Sequence, residues 1–142
     1  MICYSFFISY YYDLKANLRG TSFLSIFTLK NLPLMSESYI LHQLKKFRNQ
    51  IEGDLLKDYS SRILYATDAS AYRELPLAVI KPRNKEDIRK LVLFAGKHGV
   101  SLIPRGAGTS LAGQVVGNGI VVDVTRYLNK IIEINPEERW VR

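Results

Sequence analysis

Residues 104–119 read PRGAGTSLAGQVVGNG and hold five of the chain's nine glycines. Apolar runs flank them, at 100–103 and 120–124. A strand, a glycine-rich loop and a second strand form a pattern suited to holding an anion. Glycine leaves room for backbone N–H groups to converge on a phosphate. Arg105 adds a positive charge, and Thr109 and Ser110 add hydroxyl donors. Two familiar phosphate loops can be tested against these residues. Gly108 and Gly113 have the first spacing of a nucleoside-triphosphate loop, but Gln114 and Val115 replace the lysine and the magnesium-binding hydroxyl that chemistry needs. Gly106 and Gly108 begin a dinucleotide fingerprint, but Leu111 stands where the third glycine belongs. A strand rather than a long helix follows the loop, so a nicotinamide dinucleotide fold is disfavoured.

The elements that position this loop can be read from patterning. Ile40, Leu44, Phe47, Ile51 and Leu55 recur at spacings of three and four, which predicts a helix over 37–52 with Ser36 or Ser38 at its start and Gly53 at its end. The segment 58–75 has no clean period and reads as a polar-aromatic loop. Residues 77–80 form a buried strand closed by Pro82. Asn84 caps a second helix, with Asp87 placed to favour its N-terminus and Ile88, Leu91, Val92 and Ala95 as its apolar stripe. Gly99 ends that helix, and 100–103 completes a βαβ unit between parallel strands. Further strands are expected at 119–124 and 130–134. Residues 135–138 form a turn, and Trp140 opens another strand. The fold class is α+β.

Composition bounds the partners. The chain has 142 residues, 47% of them hydrophobic, and a net charge of +7. That balance suits one packed domain and an anionic partner. Its densest basic stretch, Lys81, Arg83, Lys85, Arg89 and Lys90, reads as a solvated helix face. No zinc-finger spacing or RNA-binding motif accompanies it, so no nucleic-acid partner is expected. Cys3 is the lone cysteine, and His42 and His98 stand far apart. No metal site and no Cys/His nucleophile are expected. His98 falls at a helix end, where the dipole favours a cation. Residues 1–34 are rich in Tyr and Phe and poor in charge. They read as a leader or an upstream extension, with a start at Met35 as one alternative, and none of their apolar runs could span a bilayer. Residues 35–76 then form a helical segment and loop, and 77–142 the loop-bearing domain.

Together these residues resemble a known family. AVIKPR at 78–83, PRGAGTSLAGQ at 104–114, GIVVD at 119–123 and TDASAYR at 67–73 are similar to the N-terminal half of the FAD-binding domain of FAD-linked oxidases, typified by vanillyl-alcohol oxidase and p-cresol methylhydroxylase. Their texture is nearest the D-lactate dehydrogenase and glycolate oxidase branch. The resemblance implies that Arg105, Gly106, Ala107, Gly108, Thr109 and Ser110 wrap the FAD pyrophosphate, that Pro82 lies beside the cofactor, and that Gly113 and Gln114 extend the contact surface. Thr109 stands where relatives that tether FAD carry a histidine, which implies non-covalent FAD. Asp68 and Arg73 are candidates for packing or interdomain contacts, with loop solvation or capping as the alternative. The complete enzyme would oxidise a small 2-hydroxy acid and pass electrons to a quinone, a cytochrome or an iron–sulfur partner, in the cytoplasm or at a membrane surface. In this family the flavin domain continues and a cap domain supplies the catalytic groups. The chain is therefore expected to be a fragment, inactive alone and with no catalytic residue of its own. A non-enzymatic phosphate-binding module and a non-functional gene fragment stay open as alternatives.

Overall fold

A computed structural model describes residues 36–142; the expected leader, Cys3 and Met35 lie outside the described residues. Helix α1 (Glu37–Phe47) starts where the Ser36 hydroxyl accepts the Tyr39 N–H at 3.3 Å, and it buries Ile40, Leu44 and Phe47. The expected helix to residue 52 tightens at Arg48–Gln50 into a 3₁₀ turn. Gly53 lies beyond that turn. It enters strand β1 (Asp54–Leu56), which the patterning did not reveal, and a Cβ on it would strike the Lys81 carbonyl oxygen. A short helix α2 (Tyr59–Leu64) also emerges from the aperiodic segment. Asp58 caps it by accepting from the Ser61 N–H at 2.8 Å.

Strand β2 (Ala78–Lys81), helix α3 (Lys85–His98) and strand β3 (Leu102–Arg105) form the expected βαβ unit. Asn84 caps α3 by accepting the Asp87 N–H at 2.9 Å, and Gly99 ends it in the left-handed region at φ 63°. The Val100 N–H returns to the Ala95 carbonyl. That bond draws Val100 into the helix cap, so β3 begins two residues later than expected. Strand β4 (Ile120–Asp123) inserts between β2 and β3, giving the order β1-β2-β4-β3. The last three are mutually parallel, and β1 runs antiparallel on the edge. The expected strand at 130–134 shrinks to β5 (Ile134–Asn135), paired with β6 (Trp140–Val141) in a separate hairpin. Its turn is the expected one, closed by the Asn135 side chain accepting the Glu138 N–H.

Period-two alternation distributes the sheet's side chains. Ala78, Ile80, Ile120 and Val122 pack with Ile40, Leu44 and Phe47 of α1 and Leu91 and Phe94 of α3. Phe94 belongs to this core although the sequence stripe omitted it. Val79 and Val121 point the other way and are also fully buried. Burial on both faces matches the unbroken apolar runs of parallel strands.

Two polar residues have roles the sequence did not disclose. Asp87 is buried, and its carboxylate accepts the N–H groups of Glu52 at 3.0 Å, Gly53 at 2.8 Å and Arg83 at 2.9 Å. It therefore joins the approach to β1, the end of β2 and the start of α3, beyond favouring the helix dipole. His98 is a correction. It is buried against Phe94, with ring centroids 4.5 Å apart, and near Tyr39. Burial, and then the charge of Lys97, push its pKa below 6.5, so it packs as a neutral ring rather than as a dipole-stabilised cation. Asp87→Ala should lower unfolding stability by about 3 kcal/mol in urea melts, because three backbone donors lose their acceptor. The lowered His98 pKa means that the unfolded chain takes up this proton first. Stability from His98 is thus present above pH 6.5 and lost as pH falls below it. His98→Leu should flatten that part of the stability profile, read as the urea midpoint between about pH 7 and 5.

Candidate functional site

Parallel strands end together, and open sheets take ligands at their carboxyl edge. Here β2, β4 and β3 bring Lys81, Asp123 and Arg105 to that edge, with Arg105 and Asp123 in direct register. Tyr65 lies over them. Its hydroxyl donates to Asp123 Oδ2 at 2.7 Å, and its ring has Arg105 Cζ at 5.3 Å and Lys81 Nζ at 5.7 Å. Asp123 Oδ1 accepts from the Thr125 N–H and hydroxyl at 2.9 and 2.6 Å. Burial alone would raise the Asp123 pKa, but Thr125, Tyr65 and Lys81 outweigh it and hold the carboxyl below 3.8. Burial and the Asp123 charge push the Tyr65 phenol well above 10, so it stays a donor. Neither Tyr65 nor Asp123 was singled out from the sequence. The available signal was an aspartate ending a buried apolar run, with a tyrosine in an aperiodic segment.

The glycine-rich connection leaves β3 at this same edge and contains no helix before β4. Its residues hold distinct positions. Arg105 Nη1 donates to the Thr67 carbonyl at 2.8 Å and reaches the Tyr65 carbonyl at 3.4 Å, so this guanidinium is engaged beneath the loop. Gly108 sits over it at φ 73°, and a Cβ there would collide with the guanidinium. Gly113, at φ 71°, lies against the Tyr72 ring. Gly106 differs from both, since a Cβ there would meet nothing within 4 Å. Ala107 and Thr109 are exposed. The Ser110 hydroxyl donates to Gln114 Oε1 and accepts the Gln114 N–H at 3.0 Å. Among the described residues, the N–H groups of Gly106, Ala107, Gly108 and Thr109 have no acceptor.

The structure thus gathers Arg105, Gly106, Ala107, Gly108, Thr109, Ser110, Gly113 and Gln114 into one loop. Pro82 stands apart. It is buried at the end of β2, with β4 between it and the loop, roughly 10 Å away by strand spacing. Both lie on the same sheet edge, within the span of one elongated ligand. Asp68 packs behind the loop, and Arg73 is exposed beside an open depression of about 260 Å³ that Tyr72, Ala112, Gly113 and Val116 also line. Among the described residues no group of His, Cys, Asp and Glu could hold a metal ion. No helix of the described residues is long and apolar enough to cross a membrane.

Amides without acceptors, an opening at Gly106 and basic residues along the edge are groups that suit an anion such as a diphosphate. The solved structure of p-cresol methylhydroxylase with substrate bound superposes with a TM-score of 0.61 at 18% identity, covering 72% of this chain and 21% of that protein. This is the fold of the p-cresol methylhydroxylase-type flavoproteins. Residues 76–142 match the family described as an FAD binding domain. Among curated proteins, D-2-hydroxyglutarate dehydrogenase of Haemophilus influenzae is 39% identical over 110 residues, 75% of this chain and 11% of the relative. The mitochondrial D-lactate dehydrogenase (cytochrome) of Kluyveromyces lactis is 42% identical over 67 residues, 44% of this chain and 12% of the relative. The chain spans about a tenth of the length of these relatives.

The two loop glycines should separate folding from binding. Gly106→Ala places a methyl in open space and should leave stability within about 0.5 kcal/mol, typical of a surface change, while weakening FAD. Gly108→Ala forces a side chain into the left-handed region against Arg105 and should cost about 1 kcal/mol or more as well as FAD. Paired urea melts and flavin titrations would check both.

Proposed function

We propose that residues 77–142 form the first part of the FAD-binding domain of a flavin-dependent 2-hydroxy-acid dehydrogenase, preceded by the helical segment and loop up to residue 76. The observation that carries this reading is the row of acceptor-free N–H groups from Gly106 to Thr109 at the carboxyl edge of the parallel sheet. Gly106, Ala107, Gly108, Thr109 and Ser110 would hold the pyrophosphate through backbone amides and hydroxyls. Gly113 and Gln114 would continue that surface, and Pro82 would border the cofactor further along the edge. Arg105 would act chiefly by fixing the loop and adding positive potential. Bound FAD supplies a two-electron acceptor for oxidation at the hydroxyl-bearing carbon.

Relatives named for D-2-hydroxyglutarate and D-lactate support a small 2-hydroxy acid as the substrate class. The electron acceptor would be a quinone, a cytochrome or an iron–sulfur protein, met in the cytoplasm or at a membrane surface. Thr109 offers no nucleophile of the imidazole kind, which supports non-covalent attachment. No side chain among the described residues is assigned to proton or hydride removal, so this chain alone would bind cofactor without turnover.

A flavin complex in the nanomolar range corresponds to about −12 kcal/mol, and half of its contacts would leave a dissociation constant on the order of tens of micromolar. Titration of FAD into the 142-residue chain should saturate in that range, and acid precipitation should leave all flavin in the supernatant. D-2-hydroxyglutarate, D-lactate and glycolate should give no dye reduction above a blank. Submicromolar affinity, flavin that stays with the precipitate, or turnover would each overturn the corresponding part of the proposal. Failure to saturate below about 1 mM would overturn the phosphate-loop assignment itself.

A further inference from the structure

Asp123 ends β4 between two cations. Arg105 of β3 is its register partner on one side. On the other side Ile80 pairs with Val122, so Lys81, the next residue of β2, falls level with Asp123. Register partners project to one face of a sheet, so the three charges share a face. Opposite charges set side by side on neighbouring strands ordinarily attract each other into contact. Here they do not meet. Arg62, Arg89 and Arg142 each make an ion pair, but among the described residues Asp123 makes none.

Neutral donors occupy this buried carboxylate instead. The Tyr65 hydroxyl donates to Oδ2 at 2.7 Å, and the Thr125 N–H and hydroxyl donate to Oδ1 at 2.9 and 2.6 Å. Arg105 is turned elsewhere. Its Nη1 donates to the Thr67 carbonyl at 2.8 Å, its guanidinium lies 5.3 Å from the Tyr65 ring centroid, and Gly108 sits directly on it. Without the Tyr65 hydroxyl, Oδ2 would be a buried carboxylate oxygen lacking a donor, which is a costly state. Arg105, one strand away in direct register, is the cation placed to relieve it. Doing so would draw the guanidinium from beneath Gly108 and neutralise it against Asp123.

We infer that Tyr65 is a positioning residue of the glycine-rich loop: its hydroxyl occupies Asp123, which keeps the Arg105 guanidinium under Gly108 and leaves its charge for an anionic ligand. The inference deepens the FAD reading and rests on it. Tyr65 acts through Asp123 and Arg105 and needs no contact with the phosphate. The role differs from simple packing, because removing the carboxylate charge should undo the harm of removing the hydroxyl.

The test uses the full 142-residue chain as wild type, Tyr65→Phe, Asp123→Asn and the double variant Tyr65→Phe/Asp123→Asn. Two quantities are read for each: affinity for FAD and for inorganic pyrophosphate, and the NMR Overhauser contact between the Arg105 side-chain N–H and the Gly108 α-protons. Tyr65→Phe should lose the contact and weaken both ligands roughly tenfold. The double variant should regain the contact and bind within about threefold of wild type. An unchanged contact in Tyr65→Phe, or a double variant no tighter than Tyr65→Phe, would overturn the assignment, as would absence of the contact in the wild type. If either Tyr65 variant does not fold, Asp123→Asn decides: a retained contact supports the inference, and a lost one overturns it. If the wild type binds neither ligand, the phosphate-loop reading fails. The Overhauser contact then still decides whether Tyr65 holds Arg105 in place.

Discussion

The Arg105 guanidinium, donating to the Thr67 carbonyl and within reach of the Tyr65 carbonyl, fixes everything at the functional end of this fold. It leaves the end of β3, whose last residue is paired with Asp123 of β4. By gripping the chain between α2 and β2 it holds Tyr65 over the sheet edge and 67–72 under the loop. Gly108 then has no room for a side chain, because the guanidinium already fills that direction. A charge that reads as a phosphate ligand in the sequence thus works first as a strut. Guanidinium suits this task, since its planar array of donors can serve two carbonyls together and still lie near an aromatic ring.

Behind that edge the structure is a compact exchange of roles between apolar and polar groups. Strands β2 and β4 are buried on both faces, so their ends are the places where polar groups can gather. Asp123 and Tyr65 hold one such end and Asp87 another, each carboxylate filled by short-range donors. These buried acids define position as well as stability, because their acceptor directions are used by backbone groups or hydroxyls drawn from several segments. The loop is the exception, since its first four amides keep their donors unpaired among the described residues. Rigid surroundings and unspent donors are what a preorganised anion site requires.

Local chemistry was legible in the sequence, and non-local chemistry was not. Asn84 and Gly99 announce α3 because caps act over three or four residues, and the runs at 78–81 and 120–123 announce buried strands by composition. The loop at 106–119 was legible because its glycines repeat a purpose within a few residues. β1 was not, since three half-buried residues carry no period and are held by pairing with β2. Nor could the sequence show that β4 lies between β2 and β3, for the register that sets Leu102 beside Ile120 depends on packing across the whole intervening loop. His98 misled because proximity to a helix end says nothing of the Phe94 and Tyr39 rings that desolvate it. Asp68 and Arg105 were visible as residues, but their partners come from 38 or more positions away in the case of Arg105.

The insertion of β4 has a temporal consequence. The central parallel strand is the one made last of the three, so a chain emerging from synthesis has β2, α3 and β3 available before the strand that joins them. Until residues 120–123 arrive, β2 and β3 have no ladder to share and the loop between β3 and β4 has only one fixed end. The cradle is therefore assembled in a single late closure rather than grown piece by piece. The loop proposed to hold phosphate would gain its second fixed end only when that strand pairs.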